Sequence, residues 1–268
     1  DNRCDAVQPS DCAIPAAPIS LHRFPDGETS LRTTENVSGK HVAIACTLDH
    51  PDEKLAPLLF ATDLLRDMGA ASVGLVAPYL AYMRQDIRFN PGESVTARYF
   101  ARLISASFDW LVTVDPAIGE WVRKHVKDAG LVGPDAESSQ WVSEVAKRAG
   151  VPYRVLEKTR NGDHSVVVSP LDTPWVKERS PIIVDDIAST AGTLIAAAGA
   201  ITAAGGTQPV CIIVHALFAG DAYALLKNAG VSRVVSCDTV LHESNAISLQ
   251  ADLAEAVDGL MSRQIRPT

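Results

Sequence analysis

Short apolar runs alternate with segments of helical period along most of the chain, and this alternation restricts the fold more than any other feature. Runs typical of buried strands occupy residues 41–48, 71–80, 110–115, 181–186, 210–218 and 233–240. Helical patterns follow five of these runs, at residues 55–70, 94–107, 192–206, 221–229 and near 249–260. Because strands that alternate with helices of about 10–15 residues form parallel sheets covered by helices, the pattern predicts an α/β fold.

The number of strand–helix units predicts two α/β halves. The chain has 268 residues, which is more than an average domain needs. The units divide near Gly130, so we predict an N-terminal domain over residues 1–130 and a C-terminal domain over residues 131–268. Residues 1–23 include three prolines and show no clear period, so they are predicted to be irregular.

Charge and composition exclude several classes of protein. The chain carries 24 Lys and Arg against 32 Asp and Glu, and its net charge of −8 argues against nucleic-acid or anionic-membrane partners. No apolar run approaches the ~18–20 residues that span a bilayer, and no signal segment opens the chain. The five cysteines form no Cys-x-x-Cys pair, which suits reduced thiols. These features predict a cytoplasmic enzyme or binding protein.

The segment IIVDDIASTAGTL (182–194) carries the clearest chemical signal. An apolar strand ends in Asp185 and Asp186, and a loop of small residues runs directly into a helix. Ligands of open α/β sheets bind beyond the carboxyl ends of strands, and the N–H groups of a helix N terminus bind phosphate. The two acids suit vicinal ribose hydroxyls or a hydrated Mg²⁺. An ordinary helix with an acidic cap would explain the same residues.

This segment resembles the phosphoribosyl-diphosphate (PRPP) loop of type I phosphoribosyltransferases and PRPP synthetases. The resemblance implies that Asp185 and Asp186 hold ribose hydroxyls and that the turn after them binds a 5′-phosphate. The residues of that turn are Ser189, Thr190, Ala191, Gly192 and Thr193. Some family members have a third acid where Ser189 stands, and the archaeal-type synthetases are similar to this chain in having serine there.

Two further segments distinguish the synthetases from the transferases. RFPDGETSLR (23–32) and VAPYLAYMRQDIRFNPGES (76–94) resemble segments of PRPP synthetase, also called ribose-phosphate diphosphokinase, that plain phosphoribosyltransferases lack. The resemblance implies that Arg84, Gln85 and Asp86 line an ATP site. An arginine can pair with phosphate and stack on adenine. Without this context, Arg-Gln-Asp indicates only a solvated polar loop.

The first of these segments also implies self-association. In the family that the chain resembles, the residues matching Phe24, Asp26 and Glu28 reach the ATP site of a neighbouring subunit. The resemblance therefore implies at least a homodimer, and a hexamer is compatible with it.

The segment LEKTR (156–160) contains two cations on a predicted hairpin or flexible flap. Residues 153–158 and 165–169 are predicted to flank its polar tip. Lys158 and Arg160 point the same way along an extended chain, and the family uses this pair to stabilise the pyrophosphoryl group in transit. Such transfer depends mainly on positioning and on cations near the developing charge. Out of context, the pair is typical of solvated surface.

The segment VGPDAESSQWV (132–142) is similar to the family loop that receives the pyrophosphate. Asp135 matches the acid of that loop, which implies that it binds or supports Mg²⁺. The family often has glycine after this acid, whereas Glu137 here adds negative charge near a polyphosphate. His215 matches a family histidine near the ribose site, although a lone histidine at a strand end is more often structural.

One position departs from the family pattern. The segment VTVDPAIGEWV (112–122) begins like the family strand whose histidine binds the Mg²⁺ of ATP, but that position is Ala117. About twenty residues that normally follow are also absent. Either the sequence omits a segment that carries the histidine, or a deletion has produced a weakened or non-catalytic relative.

The resemblance as a whole implies a ribose-phosphate diphosphokinase with two similar phosphoribosyltransferase-like α/β domains, each a mostly parallel sheet flanked by helices. Its substrates would be ATP and ribose 5-phosphate, its products PRPP and AMP, and its cofactor Mg²⁺. Two alternatives remain open. One is a non-catalytic nucleotide-binding or regulatory relative, and the other is a phosphoribosyltransferase.

Overall fold

A computed structural model describes most of the chain, namely residues 16–88, 90–114, 118–161, 165–168 and 171–264. For residues 158–161, 165–168, 263 and 264 it describes only the backbone. The chain forms two compact units, of which the first joins residues 1–114 with 250–268 and the second spans residues 115–249.

The described residues contain strands and helices in close alternation. The strands are β1 (Ser20–Arg23), β2 (Thr29–Arg32), β3 (His41–Ala45), β4 (Ser72–Ala77), β5 (Trp110–Thr113), β6 (Ala129–Gly133), β7 (Tyr153–Val155), β8 (Lys158–Asn161), β9 (Ser165–Val168), β10 (Ser180–Ala188), β11 (Val210–Ala216), β12 (Arg233–Cys237) and β13 (Asn245–Ile247). The helices are α1 (Pro51–Asp67), α2 (Thr96–Ser107), α3 (Ile118–His125), α4 (Ser139–Ala149), α5 (Thr173–Lys177), α6 (Gly192–Ala203), α7 (Ala222–Asn228) and α8 (Gln250–Gln264).

The first unit is built on a parallel sheet with the strand order β3-β4-β5. The central strand β4 is buried along its whole length, as expected where helices cover both faces of a parallel sheet. Gly74 of this strand lies opposite Trp110, and a Cβ on Gly74 would come within 2.0 Å of the indole ring. The indole can therefore pack on the sheet only because position 74 has no side chain. Val257 of α8 packs with Val76 and Val112 on this sheet.

The second unit is a six-stranded parallel sheet with the order β13-β12-β11-β10-β6-β7. Helix α6 packs on its centre with small residues, since Ala197 and Ala198 are fully buried beside Ile183 and Ile213. The alanines let the helix approach the sheet closely. Strand β10 lies near the middle of the sheet in this order. Its last residues, which include Asp185 and Asp186, lie at the carboxyl edge of the sheet.

The predicted α/β fold with mostly parallel sheets is confirmed, and each strand-like run of the sequence contains a strand. A hairpin is confirmed, because β8 and β9 pair antiparallel, but its first strand is Lys158–Asn161 and not residues 153–158. Tyr153–Val155 instead pairs with β6 in the six-stranded sheet. The prediction that residues 1–23 are irregular is wrong for the last four of them, since Ser20–Arg23 pairs antiparallel with Thr29–Arg32. A four-residue strand of mixed exposure has too short a pattern to detect from the sequence.

The predicted domain boundary near Gly130 stays a prediction. The compact units differ from this prediction in two places. Residues 115–130 belong to the second unit, and helix α8 packs with the first unit. Apolar periodicity identifies a terminal helix but does not indicate which sheet it covers. None of the described helices is both long and apolar enough to cross a membrane.

Candidate active site

Two consecutive carboxylates lie near the end of β10. The Asp186 N–H donates to Asp185 Oδ1 at 3.0 Å, and the Ile187 N–H donates to Asp186 Oδ1 at 2.7 Å. Of the two side chains, Asp185 is half-buried and Asp186 is exposed. Asp186 can therefore reach a ligand above the sheet edge.

The loop after β6 brings a third carboxylate to the same place. The side chain of Asp135 accepts from the Ser138 N–H at 3.2 Å, and the Ser138 hydroxyl donates back to the Asp135 carbonyl at 2.6 Å. A Cβ at Gly133 would lie 2.5 Å from that hydroxyl oxygen, so glycine at this position makes room for the turn. Because β6 is the neighbour of β10 in the sheet, the turn stands next to Asp185.

These elements enclose a pocket of about 260 Å³ within the second unit. Its lining joins the predicted pyrophosphate loop to the predicted ribose and phosphate segments. The lining residues are Asp135, Glu137, Ser138, Trp141, Asp185, Asp186, Ile187 and Thr193. The sequence analysis did not identify Trp141 as a site residue. Trp141 lies in the first turn of α4, just after the Asp135 turn, and this closeness in the sequence could have indicated its role.

The crowding of acids changes their protonation. Burial, together with the negative charges of Asp186 and Asp135, raises the pKa of Asp185 to about 8. The Asp185 carboxyl is therefore largely protonated at neutral pH. Three carboxylates around one polar pocket are the hard oxygen ligands that Mg²⁺ prefers, so the residues fit that ion. Among the residues described with side chains, no three donors already converge as a closed metal site.

Asp185→Asn should stabilise the metal-free protein in a pH-dependent way. The folded-state pKa of Asp185 lies above the unfolded value of 3.8, so the folded protein binds one more proton between about pH 4 and pH 8, and wild-type stability falls as pH rises through that window. Asparagine never ionises and escapes this loss. Thermal unfolding in EDTA should show the variant gaining about 1–3 kcal/mol over wild type between pH 5 and pH 8, after allowance for solvent screening. A difference that does not change with pH would contradict the raised pKa.

The predicted phosphate turn has an unusual backbone. Ala191, the residue before α6, adopts φ 58° and ψ 6°, and it has no side chain that could cap the helix. The left-handed region costs a non-glycine residue roughly 1–2 kcal/mol. No side chain caps the start of α6, and a helix N terminus of this kind suits an anion.

Backbone hydrogen bonds from residues 217–219, just after β11, support the predicted phosphate turn. The N–H groups of Leu217 and Phe218 donate to the Ala188 carbonyl at 3.1 and 2.9 Å, and the Ala219 N–H donates to the Ser189 carbonyl at 3.0 Å. Phe218 is anchored in turn by ring contacts with Tyr223 and His242, at centroid distances of 5.1 and 4.9 Å. The turn is therefore supported before any ligand binds.

His215 is held by a hydrogen-bond relay. The Thr239 hydroxyl donates to the Val214 carbonyl at 2.8 Å, and its oxygen lies 2.8 Å from His215 Nδ1. Because that hydroxyl has a single proton, Nδ1 must be the donor of the second bond. Burial lowers the pKa of His215 to about 4, so the ring is neutral at physiological pH. Sequence reasoning identified His215 but not Thr239.

The two predicted catalytic cations lie on the flap strand β8. In its register with β9, Lys158 pairs with Val168 and Arg160 pairs with Val166. The two positions are thus separated by two residues on an extended strand, as predicted. Their catalytic roles stay a prediction.

The predicted ATP-site residues belong to the first unit. Phe24, Asp26 and Glu28 form the exposed tip of the β1–β2 hairpin, where Asp26 Oδ1 accepts from the Glu28 N–H at 3.2 Å. Arg84 and Asp86 are exposed on the loop after β4. Ala117, the position of the missing family histidine, lies outside the described residues.

Comparisons with known proteins cover nearly the whole chain. Residues 9–107 match the N-terminal domain of ribose phosphate pyrophosphokinase, and residues 114–254 match the phosphoribosyl transferase domain. A ribose-phosphate pyrophosphokinase of Methanopyrus kandleri is 33% identical over 266 residues, covering 91% of both chains. Its counterpart in Methanothermobacter thermautotrophicus is 32% identical over 265 residues, covering 91% of this chain and 92% of the relative.

A solved structure shares the fold. The phosphoribosylpyrophosphate synthetase from Mycobacterium smegmatis aligns with a TM-score of 0.80 and 20% identity, over 93% of this chain and 92% of that chain.

Proposed function

Because this chain belongs to the ribose-phosphate pyrophosphokinase family, we propose that the pocket at the end of β10 is where it forms PRPP from ATP and ribose 5-phosphate. The comparisons confirm the predicted family and the predicted enzyme activity. The assignment of the pocket depends on one observation, that Asp135, Asp185 and Asp186 meet at the carboxyl edge of the sheet beside an uncapped helix N terminus.

In the proposed reaction, the 1-hydroxyl oxygen of ribose 5-phosphate attacks the β-phosphorus of ATP. The bond from that phosphorus to the oxygen bridging the α-phosphorus breaks, AMP leaves, and the hydroxyl proton passes to solvent. Asp186 accepts hydrogen bonds from the vicinal ribose hydroxyls and thereby orients the sugar. The backbone N–H groups of residues 190–193 and the hydroxyls of Thr190 and Thr193 hold the 5′-phosphate.

The chain's cations serve the group that is transferred. Lys158 and Arg160 stabilise the negative charge that develops on the diphosphoryl oxygens, which is where such reactions gain most of their acceleration. Arg84 and Asp86, with Gln85 between them, bind the nucleotide. Asp135 would hold or support Mg²⁺, which when bound neutralises charge on the polyphosphate.

We also propose that the protein acts as a homodimer or larger assembly. The exposed tip residues Phe24, Asp26 and Glu28 support this proposal, since an aromatic ring that is 43% exposed beside two acids suits a contact with nucleotide bound to another subunit.

Product analysis of the purified protein tests the proposed function. We expect AMP and PRPP to appear in equal amounts, and only when ATP, Mg²⁺ and ribose 5-phosphate are all present. Omission of ribose 5-phosphate should abolish AMP formation. ATP binding without any AMP formation would favour a non-catalytic regulatory relative instead.

A further inference from the structure

The loop that carries Arg84 and Asp86 begins with a strained residue. Tyr82 has φ 62°, in the left-handed region that an aromatic residue rarely adopts. Such a conformation is unfavourable and persists only where the surroundings enforce it. It lies two residues before Arg84, so it sets the direction in which the chain enters the predicted ATP-binding triplet.

Two contacts hold the Tyr82 side chain. Its hydroxyl donates to Asp52 Oδ1 in the first turn of α1, and its ring packs on Phe100 of α2 with centroids 4.9 Å apart and planes tilted by 44°. Phe100 is only 5% exposed, so the ring of Tyr82 rests on the fixed core of the first unit. One side chain thus ties the start of the loop to two helices.

The residue in the middle of the triplet is tied down as well. Gln85 Nε2 donates to the Ile87 carbonyl at 3.2 Å and to Glu93 Oε2 at 3.3 Å. The Gln85 carbonyl accepts from the Ala97 N–H at 3.2 Å, at the start of α2. Both the backbone and the amide of Gln85 therefore support the loop, while Arg84 and Asp86 on either side are exposed.

We propose that Tyr82 is a positioning residue for nucleotide binding, which holds Arg84 and Asp86 in place through Asp52 and Phe100. The proposal rests on the proposed function, because it takes ATP to be the ligand of this loop. The hydrogen bond to Asp52 favours the rare backbone conformation of Tyr82, so the loop is ordered before the nucleotide arrives. A site that is already ordered loses less conformational entropy on binding.

The Tyr82→Phe variant isolates this role, since it removes the hydroxyl and keeps the ring on Phe100. The lost hydrogen bond joins a hydroxyl to a carboxylate that is exposed to solvent, so we expect the Kd and the KM for ATP to rise about 3- to 10-fold. The KM for ribose 5-phosphate and kcat at saturating ATP should stay within about twofold. A general loss of structure would instead weaken both substrates and kcat together.

Two further variants complete the experiment. Tyr99→Phe on α2 is the matched control, since this tyrosine is 45% exposed, and it should leave every parameter unchanged. Asp52→Ala should reproduce the effect of Tyr82→Phe, and the double variant should be no worse than either single one. This route keeps the proposal testable if Tyr82→Phe does not fold.

Calorimetric ATP binding separates this proposal from the proposed function. Wild-type protein that binds ATP but forms no PRPP would contradict the proposed function alone. An ATP Kd that is unchanged in both Tyr82→Phe and Asp52→Ala would overturn the role of Tyr82 alone. Wild-type protein that binds no ATP would overturn both.

Discussion

Lys158→Ala should lower kcat by roughly 10³-fold while ATP binding changes by no more than about threefold. The residue lies on β8, in a two-stranded hairpin that belongs to neither main sheet. We propose that Lys158 acts on the diphosphoryl group during its transfer. Its contribution is therefore expected in the transition state and not in the ground-state complex.

Lys147→Ala provides the matched control for this variant. Lys147 is an exposed lysine in the last turn of α4, in the same unit of the protein. Its replacement should leave kcat and both KM values unchanged. Steady-state rates combined with calorimetric ATP binding decide the outcome. Turnover of Lys158→Ala at the wild-type rate would remove Lys158 from the mechanism.

Asp186→Asn should raise the KM for ribose 5-phosphate by about 10- to 100-fold, since it removes the charge that strengthens hydrogen bonds from the sugar hydroxyls. Asparagine keeps an oxygen that can still accept from the Ile187 N–H, so the end of β10 should keep its shape. The KM for ATP should change far less, because the predicted nucleotide residues lie in the other unit.

Asp172→Asn is the control for the loss of charge. Asp172 is exposed before α5 and makes no capping hydrogen bond with its side chain, so this variant should behave as wild type. Initial rates over a matrix of both substrate concentrations give the two KM values. Equal increases in both KM values for Asp186→Asn would indicate general damage and contradict a specific role in binding the sugar.

The sequence predicted the fold well because its signals are local. A run such as PIIVDD is apolar because β10 is buried on both faces, and the small residues of α6 follow from its close approach to the sheet. Short elements of mixed exposure escaped prediction. Ser20–Arg23 has four residues and becomes a strand only through its partner Thr29–Arg32.

The candidate site could be predicted in part. The residues themselves were identified from their segments, but their convergence depends on strand order, and nothing local in the sequence indicates that β6 lies beside β10. The contacts that support the candidate site residues could not be predicted for the same reason. Tyr82 and Asp52 are 30 residues apart, and His215 and Thr239 are 24 apart, so neither pair leaves a local pattern.

The transfer of a diphosphoryl group from ATP to ribose 5-phosphate is tested most directly by following the β-phosphorus. The purified protein would be incubated with Mg²⁺, ribose 5-phosphate and ATP labelled with ³²P at the β position, and the products separated. Transfer as proposed places all of the released label in PRPP and leaves AMP unlabelled. Label recovered in ADP, or label that stays in ATP at every time point, would contradict it.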